Sequence, residues 1–278
     1  MSSTPFIQVL DKIVVDAALQ YNPDSRHLDI GYHAQQTSIM VDLIRLYRQL
    51  DNSTSAGERK AIRDAIDTMQ QILYPWITKS TNGPPRYRSI LDLMETWTEE
   101  AGIVVTIGKN GGYRWGVHQL VHLRGNLKCT LPIEIYYAGE EDLPRAYREF
   151  IEAISATYPG RITLIDILDL FPDPDGQAGL PGGWAMRPFA MLASSFNTVI
   201  LADADTVFLQ DPRVILNEPS MRESGSIFWH DRVIKPAKPA AYDVLEELLE
   251  LSKAKGMERV KQESAPWFNR QTRDEQER

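Results

Sequence analysis

The sequence predicts an α/β protein, with a mostly parallel sheet flanked by helices and preceded by an α-helical N-terminal region. From about residue 102, short apolar runs typical of buried strands alternate with segments whose apolar residues follow helical spacing. One of these runs, 198–202, is followed directly by Asp203 and Asp205. In open α/β sheets ligands bind beyond the carboxyl ends of the strands, so the sequence predicts both a fold and the position of its site.

Length and composition are those of an ordinary globular protein of 278 residues, with 43% hydrophobic and 24% charged residues. We expect a helical region over 1–100 and an α/β domain over 101–278. The net charge of -8 argues against a nucleic-acid partner, which would require a basic surface. Cys129 is the only cysteine, so it cannot form an intrachain disulfide. The sequence shows neither a signal peptide nor an apolar run long enough to span a membrane.

The N-terminal region predicts a helical hairpin. Two stripes of apolar residues follow helical spacing on either side of a polar loop at 51–57, and they consist of Ile39, Leu43, Leu46 and Leu50, and of Ile62, Ile66, Met69, Leu73 and Trp76. A further short helix is expected at 89–97. Nothing in this region indicates chemistry.

The next segment predicts the opening unit of a nucleotide-binding domain. A strand at 103–107 ends in a glycine-rich turn at 108–112, and a helix follows over 113–123. Backbone N–H groups at the start of such a helix can bind phosphate, so we expect Thr106 and Gly108 to contact a nucleotide. The dinucleotide fingerprint G-x-G-x-x-G is absent. A strand at 133–138, a helix at 144–158 and a strand at 162–167 continue the alternation.

The segment from Gly182 to Pro212 carries the strongest signal. An amphipathic helix precedes the run 198–202, which we interpret as a central strand covered on both faces. Residues i and i+2 of an extended segment point to the same side, so Asp203 and Asp205 are expected to converge and to hold a divalent cation. The alternative is a pair of solvated turn residues. Arg187, at the start of the helix, is expected to meet a diphosphate, the alternative being an exposed cation.

The last predicted strand covers 225–229, and an amphipathic helix over 240–257 follows it. Trp229 and Asp231 form an aromatic and acidic pair that could receive the sugar acceptor. An ion pair between Asp231 and Arg232 at the end of the strand explains the same residues equally well.

Three sequence segments resemble those of a known protein family. VILADADTVFLQDP (199–212, within the longer segment that begins at 183) looks like the D-x-D segment of nucleotide-sugar-dependent glycosyltransferases with the A-type, Rossmann-like fold. Together with LPIEIYYAGEEDLP (131–144) and ESGSIFWHDR (223–232), it resembles the fungal α-1,3-mannosyltransferases of glycosyltransferase family 71. The resemblance covers roughly residues 102–236.

This resemblance implies a retaining transfer of mannose from GDP-mannose to an α-mannoside acceptor in protein glycosylation, assisted by Mn2+ or Mg2+. It implies that Asp205 binds the metal and that Asp203 bridges to the metal or to the ribose. The family consists of Golgi proteins with an N-terminal membrane anchor, so the Golgi lumen is the expected location.

Two alternatives remain open. Family members continue beyond this segment with strands that complete the acceptor site, so the chain is expected to be shortened at both ends and to transfer mannose weakly. It could then be an inactive member that only binds nucleotide. A phosphatase of the haloacid-dehalogenase type is the remote alternative, although its threonine falls four residues after the first aspartate, where this chain has Val207.

Overall fold

The structure is a computed structural model that describes residues 30–51, 53–78, 86–108, 112–171 and 183–227. The described residues fall into two compact units, which divide between Leu73 and Tyr74 and are described separately. In the N-terminal unit, helix α1 (Ile30–Gln49) packs along helix α2 (Ala56–Leu73), as the two apolar stripes predict. Trp76 was expected on the second helix, but that helix ends at Leu73. The tryptophan instead lies in a 3-10 turn (Pro75–Thr78) of the second unit.

The second unit contains a four-stranded sheet in which all neighbouring strands are parallel. Its strands are β1 (Glu99–Thr106), β2 (Ile133–Tyr137), β3 (Ile162–Asp166) and β4 (Phe196–Asp203), in the spatial order β3-β2-β1-β4. The parallel sheet predicted from the alternation of apolar runs and helices is therefore confirmed.

Helices cover both faces of the sheet. One face carries α3 (Ile90–Met94), α6 (Ile167–Leu170) and α7 (Met186–Ala193). The other carries α4 (Gly112–Val121), which continues as a π-helical turn (His122–Asn126), and α5 (Arg145–Thr157). Successive strand residues point to opposite faces, so Val104 lies in the first core and Ile103 and Val105 lie in the second. All three are fully buried, which explains the unbroken apolar run.

The prediction that β4 is a central strand is wrong within the described residues, where β4 pairs only with β1 and lies at one edge. Its coverage on both faces is confirmed, because Phe196 contributes to one core while Ile200 and Ala202 contribute to the other. Hydrophobicity reports whether the two faces of a strand are buried and says nothing about the strand's hydrogen-bonded edges. An edge strand between two helical layers therefore has the sequence of a central one.

The C-terminal part of the described chain differs from the prediction of a strand at 225–229. Helix α8 (Pro219–Ser224) ends at Gly225, whose φ of 73° is a left-handed conformation that glycine adopts easily, and residues 226–227 form no strand. Trp229, Asp231 and the helix expected at 240–257 lie outside the described residues. No helix in the described ranges is both long enough and apolar enough to cross a bilayer.

Candidate functional site

The candidate site lies at the carboxyl edge of the sheet, where β1 and β4 end side by side. Thr106 and Asp203 are the last residues of these neighbouring strands and are partners in the parallel register. Gly108 follows just beyond β1. A Cβ atom at this glycine would lie 2.2 Å from Oδ1 of Asp142, so only glycine allows the loop after β2 to approach so closely. Thr106, Gly108 and Asp203 are thus brought to one edge.

The two aspartates do not form the extended segment that the sequence suggested. The chain turns immediately after β4, and the turn is closed by two hydrogen bonds. The N–H of Thr206 donates to the carbonyl of Asp203 at 2.9 Å, and the N–H of Asp203 donates to Oγ1 of Thr206 at 3.1 Å. The geometric premise for convergence of Asp203 and Asp205 is therefore wrong. The side chain of Asp205 is exposed and has no hydrogen bond or ion pair to any residue that the structure describes.

Helix α4 and its π-helical turn hold this turn through two side chains that the sequence analysis did not select. Gln119, which is only 5% exposed, donates from Nε2 to the carbonyls of Asp203 at 2.8 Å and Thr206 at 3.0 Å. Carbonyl oxygens only accept, so the orientation of the amide is fixed. His122 lies 2.8 Å through Nε2 from the carbonyl of Phe208, which requires the Nε2–H tautomer. The sequence offered one signal for these two residues, because Gln119 is a polar residue among the apolar residues of α4 and lies three positions before His122.

Arg187 contacts the site from the other side of the sheet. Its guanidinium lies 2.6 Å from Oδ1 of Asp203, and the two side chains are 26% and 42% exposed. The same guanidinium lies over the ring of Trp184, with Cζ 4.7 Å from the ring centroid. Arg187 was expected to meet a diphosphate and is here an ion-pair partner of the first aspartate. The alternative was an exposed cation, and the side chain is instead partly buried in this ion pair.

The side chains at this site could hold a divalent cation only if a bound substrate supplied further coordinating oxygens. Within the described part of the chain, no group of three or more histidine, cysteine or acidic side chains could hold a metal ion. Mg2+ typically uses one or two carboxylates and completes its octahedral shell with water and substrate phosphates. Asp203 offers one such carboxylate at the end of β4, and Asp205 offers another in the turn that follows.

A further carboxylate, Asp166, lies at the carboxyl end of β3. Its Oδ1 accepts from the N–H groups of Gly139 at 3.1 Å and Leu168 at 3.0 Å, so it caps α6 and holds the loop after β2. Burial raises the pKa of Asp166 above its ordinary value, and the nearby charge of Asp169 acts in the same direction. Asp166 therefore links two loops of the candidate edge at an electrostatic cost.

Comparisons with known proteins follow the same part of the chain. The family model described as "Mannosyltransferase putative" matches residues 100–277, well over half of the chain. Alpha-1,2-mannosyltransferase MNN22 of Candida albicans is 29% identical over 149 residues, which are 51% of this chain and 23% of that protein. Putative alpha-1,3-mannosyltransferase MNN14 of the same species is 23% identical over 224 residues, 75% of this chain and 32% of that protein.

Alpha-1,2-mannosyltransferase MNN2 of Saccharomyces cerevisiae is 24% identical over 141 residues, which are 51% of this chain and 23% of that protein. The matched part of the chain thus spans between 23% and 32% of the length of these three relatives.

Proposed function

The chain belongs to the mannosyltransferase family whose model it matches over residues 100–277, and on that premise we propose that it binds GDP-mannose and transfers the mannose to an α-mannoside. The carboxyl edge of the sheet would receive the nucleotide sugar. The acceptor would approach from solvent beside the turn that begins at Asp203. Each of these substrates belongs to the proposal and is tested below.

The observation that supports the proposal most is the ion pair between Arg187 and Asp203. It brings a cation and a carboxylate to the end of β4, where Thr106 of the neighbouring strand is the register partner of Asp203. A diphosphate requires a cationic partner, and a divalent cation that accompanies it requires a carboxylate. Both requirements are met within one pair of side chains.

The roles of the chain's own residues follow from this arrangement. Arg187 would donate to the diphosphate oxygens, Thr106 and the backbone at Gly108 would contact the nucleoside, and Asp203 with Asp205 would hold Mn2+ or Mg2+. The cation, when bound, would neutralise charge that develops on the diphosphate leaving group. Gln119 would keep the Asp203 turn in place through its two hydrogen bonds. None of these side chains is assigned as a nucleophile, and the leaving phosphate itself would serve as the base.

The finer features of the reaction are also proposed. The relatives are named as α-1,2- and putative α-1,3-mannosyltransferases. We retain an α-1,3 linkage formed with retention of configuration, as the sequence resemblance implies. NMR analysis of the product on an α-linked mannobiose acceptor distinguishes the two linkages and the two anomers.

Binding calorimetry tests the nucleotide and the metal. GDP is titrated into the chain with Mn2+ and without it, and UDP serves as the matched control. We expect GDP to bind more tightly than UDP, and Mn2+ to strengthen GDP binding by about tenfold or more, because metal and diphosphate complete each other's ligand shells. Equal affinity with and without Mn2+ would remove the metal from the proposal. No binding of GDP would overturn the proposal as a whole.

A transfer assay separates an enzyme from an inactive binding domain. Labelled GDP-mannose is incubated with the chain, Mn2+ and mannobiose, and both labelled trisaccharide and free mannose are measured. Trisaccharide supports transfer. GDP binding without any labelled product would instead favour the non-catalytic alternative. None of the three relatives named above is a phosphatase, so that alternative is not retained.

A further inference from the structure

Trp184 is the most exposed tryptophan side chain that the structure describes at the carboxyl edge, and no role has been assigned to it. Its ring is 66% exposed although it lies in a 3-10 turn (Gly183–Ala185) that leads directly into the buried helix α7. Exposure of so large an apolar ring is costly in water and commonly marks a binding surface. From its position, we propose that Trp184 is the platform on which a pyranose ring of the acceptor glycan stacks. This inference rests on the proposed function.

The indole is held in a defined orientation. The guanidinium of Arg187 covers one of its faces, with Cζ 4.7 Å from the ring centroid. The exposed area therefore lies mainly on the opposite face and the ring edges. An oriented aromatic ring with one open face loses little conformational freedom when a flat ligand stacks on it.

The ring of Trp184 is linked to the candidate site through the guanidinium of Arg187. Arg187 contacts the ring of Trp184 and also lies 2.6 Å from Asp203. A pyranose on the open face of the indole would therefore be separated from the diphosphate near Asp203 by the indole and the guanidinium. The stacked ring would then be a unit of the acceptor glycan next to the one that accepts mannose, and it would help to hold the accepting hydroxyl in reach of the transferred sugar.

A guanine base could stack on the indole as well as a pyranose could. Val104 lies in the core beneath α7, and Thr106, two residues further along β1, points to the same face of the sheet. Trp184 leads into α7, so a nucleoside that contacts Thr106 could also reach the indole, and the experiment includes that outcome.

The chemistry of the ring suits a hexopyranose. A pyranose presents apolar C–H groups on one face, and these pack against the electron-rich face of an indole. Sites for small ligands are commonly lined by aromatic side chains of this kind.

The test compares Trp184→Ala, Trp184→Phe and the control Phe150→Ala, which removes another exposed aromatic ring from helix α5. Saturation-transfer NMR titrations measure binding of methyl α-D-mannopyranoside and of α-linked mannobiose. Calorimetry with GDP and Mn2+ is carried out on the same proteins. We expect Trp184→Ala to weaken mannobiose binding by about tenfold, Trp184→Phe to recover most of it, and Phe150→Ala to change nothing.

The outcomes separate this inference from the proposed function. If Trp184→Ala leaves mannoside binding unchanged while GDP binds normally, the platform is wrong and the proposed function stands. If Trp184→Ala and Trp184→Phe weaken GDP binding as strongly as mannoside binding, the ring serves the nucleotide and the inference is overturned. If the unmodified chain binds mannobiose through Trp184 but does not bind GDP, the proposed function fails and the platform stands.

Discussion

The guanidinium of Arg187 and the carboxylate of Asp203 form an ion pair of 2.6 Å at the carboxyl edge of the sheet. The pair joins the start of helix α7 to the last residue of β4 and so connects the two elements that flank the candidate site. The same carboxylate would be required by a divalent cation, and the same guanidinium by a diphosphate. Both partners are partly exposed, so the pair can be reorganised by a ligand at low cost.

The ion pair is expected to contribute little to folding and more to binding. A double-mutant cycle with Arg187→Ala and Asp203→Asn should give a coupling of less than about 1 kcal/mol in urea unfolding, because exposed ion pairs are weak. Calorimetry of the single variants should show GDP binding reduced by about tenfold or more in the presence of Mn2+. A large coupling in unfolding with normal GDP binding would make the pair purely structural.

Asp205→Asn should impair ligand binding without harming the fold. The side chain is exposed in the turn after β4, so the free energy of unfolding should change by less than about 0.5 kcal/mol. Loss of one ligand charge should strongly reduce the effect of Mn2+ on GDP affinity, which calorimetry measures. Glu152→Gln, which neutralises an exposed carboxylate on α5, serves as the control and should change neither quantity. Unfolding of Asp205→Asn would show that this residue is structural.

Gln119→Met should loosen the Asp203 turn. Methionine fills a similar volume but cannot donate, so two buried hydrogen bonds to the carbonyls of Asp203 and Thr206 are lost. We expect a destabilisation of about 1–3 kcal/mol in urea unfolding and weaker GDP binding with Mn2+. The exposed neighbour His118 on the same helix provides the control, and His118→Ala should affect neither measurement. Wild-type stability of Gln119→Met would remove this glutamine from the supports of the site.

Gly108→Ala and Gly112→Ala offer a matched pair, one just beyond β1 and the other at the start of α4. A Cβ atom at Gly108 would lie 2.2 Å from Asp142, whereas at Gly112 its nearest neighbours are 3.9 and 4.0 Å away. The first substitution should therefore displace the loop after β2 and cost about 1–3 kcal/mol, and the second should be tolerated. Thermal unfolding and GDP calorimetry compare the two proteins. Equal stability of both variants would contradict the close packing at Gly108.

Asp166→Asn tests the electrostatic cost of a buried cap. The pKa of Asp166 is raised above its ordinary value of 3.8 in the folded chain, mainly by burial. In the window above that value the folded state binds more protons than the unfolded state, so the stability contributed by Asp166 falls as pH rises through it. Asparagine keeps an acceptor oxygen for both N–H groups and cannot ionise.

Urea unfolding of both proteins between acid and neutral pH measures this effect. The stability of Asp166→Asn relative to the parent chain should increase as pH rises. Asp166→Ala also cannot ionise but loses the cap of α6, so it should be less stable than Asp166→Asn by about 1 kcal/mol at every pH. A variant whose deficit grows with pH would mean that the charged carboxylate is favourable.

Local sequence was sufficient for much of the fold. The sequence predicted strands β1 to β4 and the helices between them. Burial of one face of a strand or helix produces a pattern of apolar residues that are close together in sequence. The parallel order followed from the alternation of these elements. The position of Asp203 at the carboxyl end of a buried strand followed from the abrupt end of one run. The resemblance to the mannosyltransferase family likewise rested on continuous segments of the sequence.

Tertiary structure alone decided how the site is assembled. Three features could not be inferred from periodicity: the position of β4 at one edge of the four described strands, the turn closed by Thr206, and the contacts of Arg187 with Asp203 and Trp184. Gln119 reaches carbonyls 84 and 87 residues away in sequence, and such contacts depend on how α4 packs against the sheet. Helical spacing of apolar residues predicts that one face of a helix is buried. The hydrogen-bond partner of a polar atom on that face is determined only by how distant segments pack together.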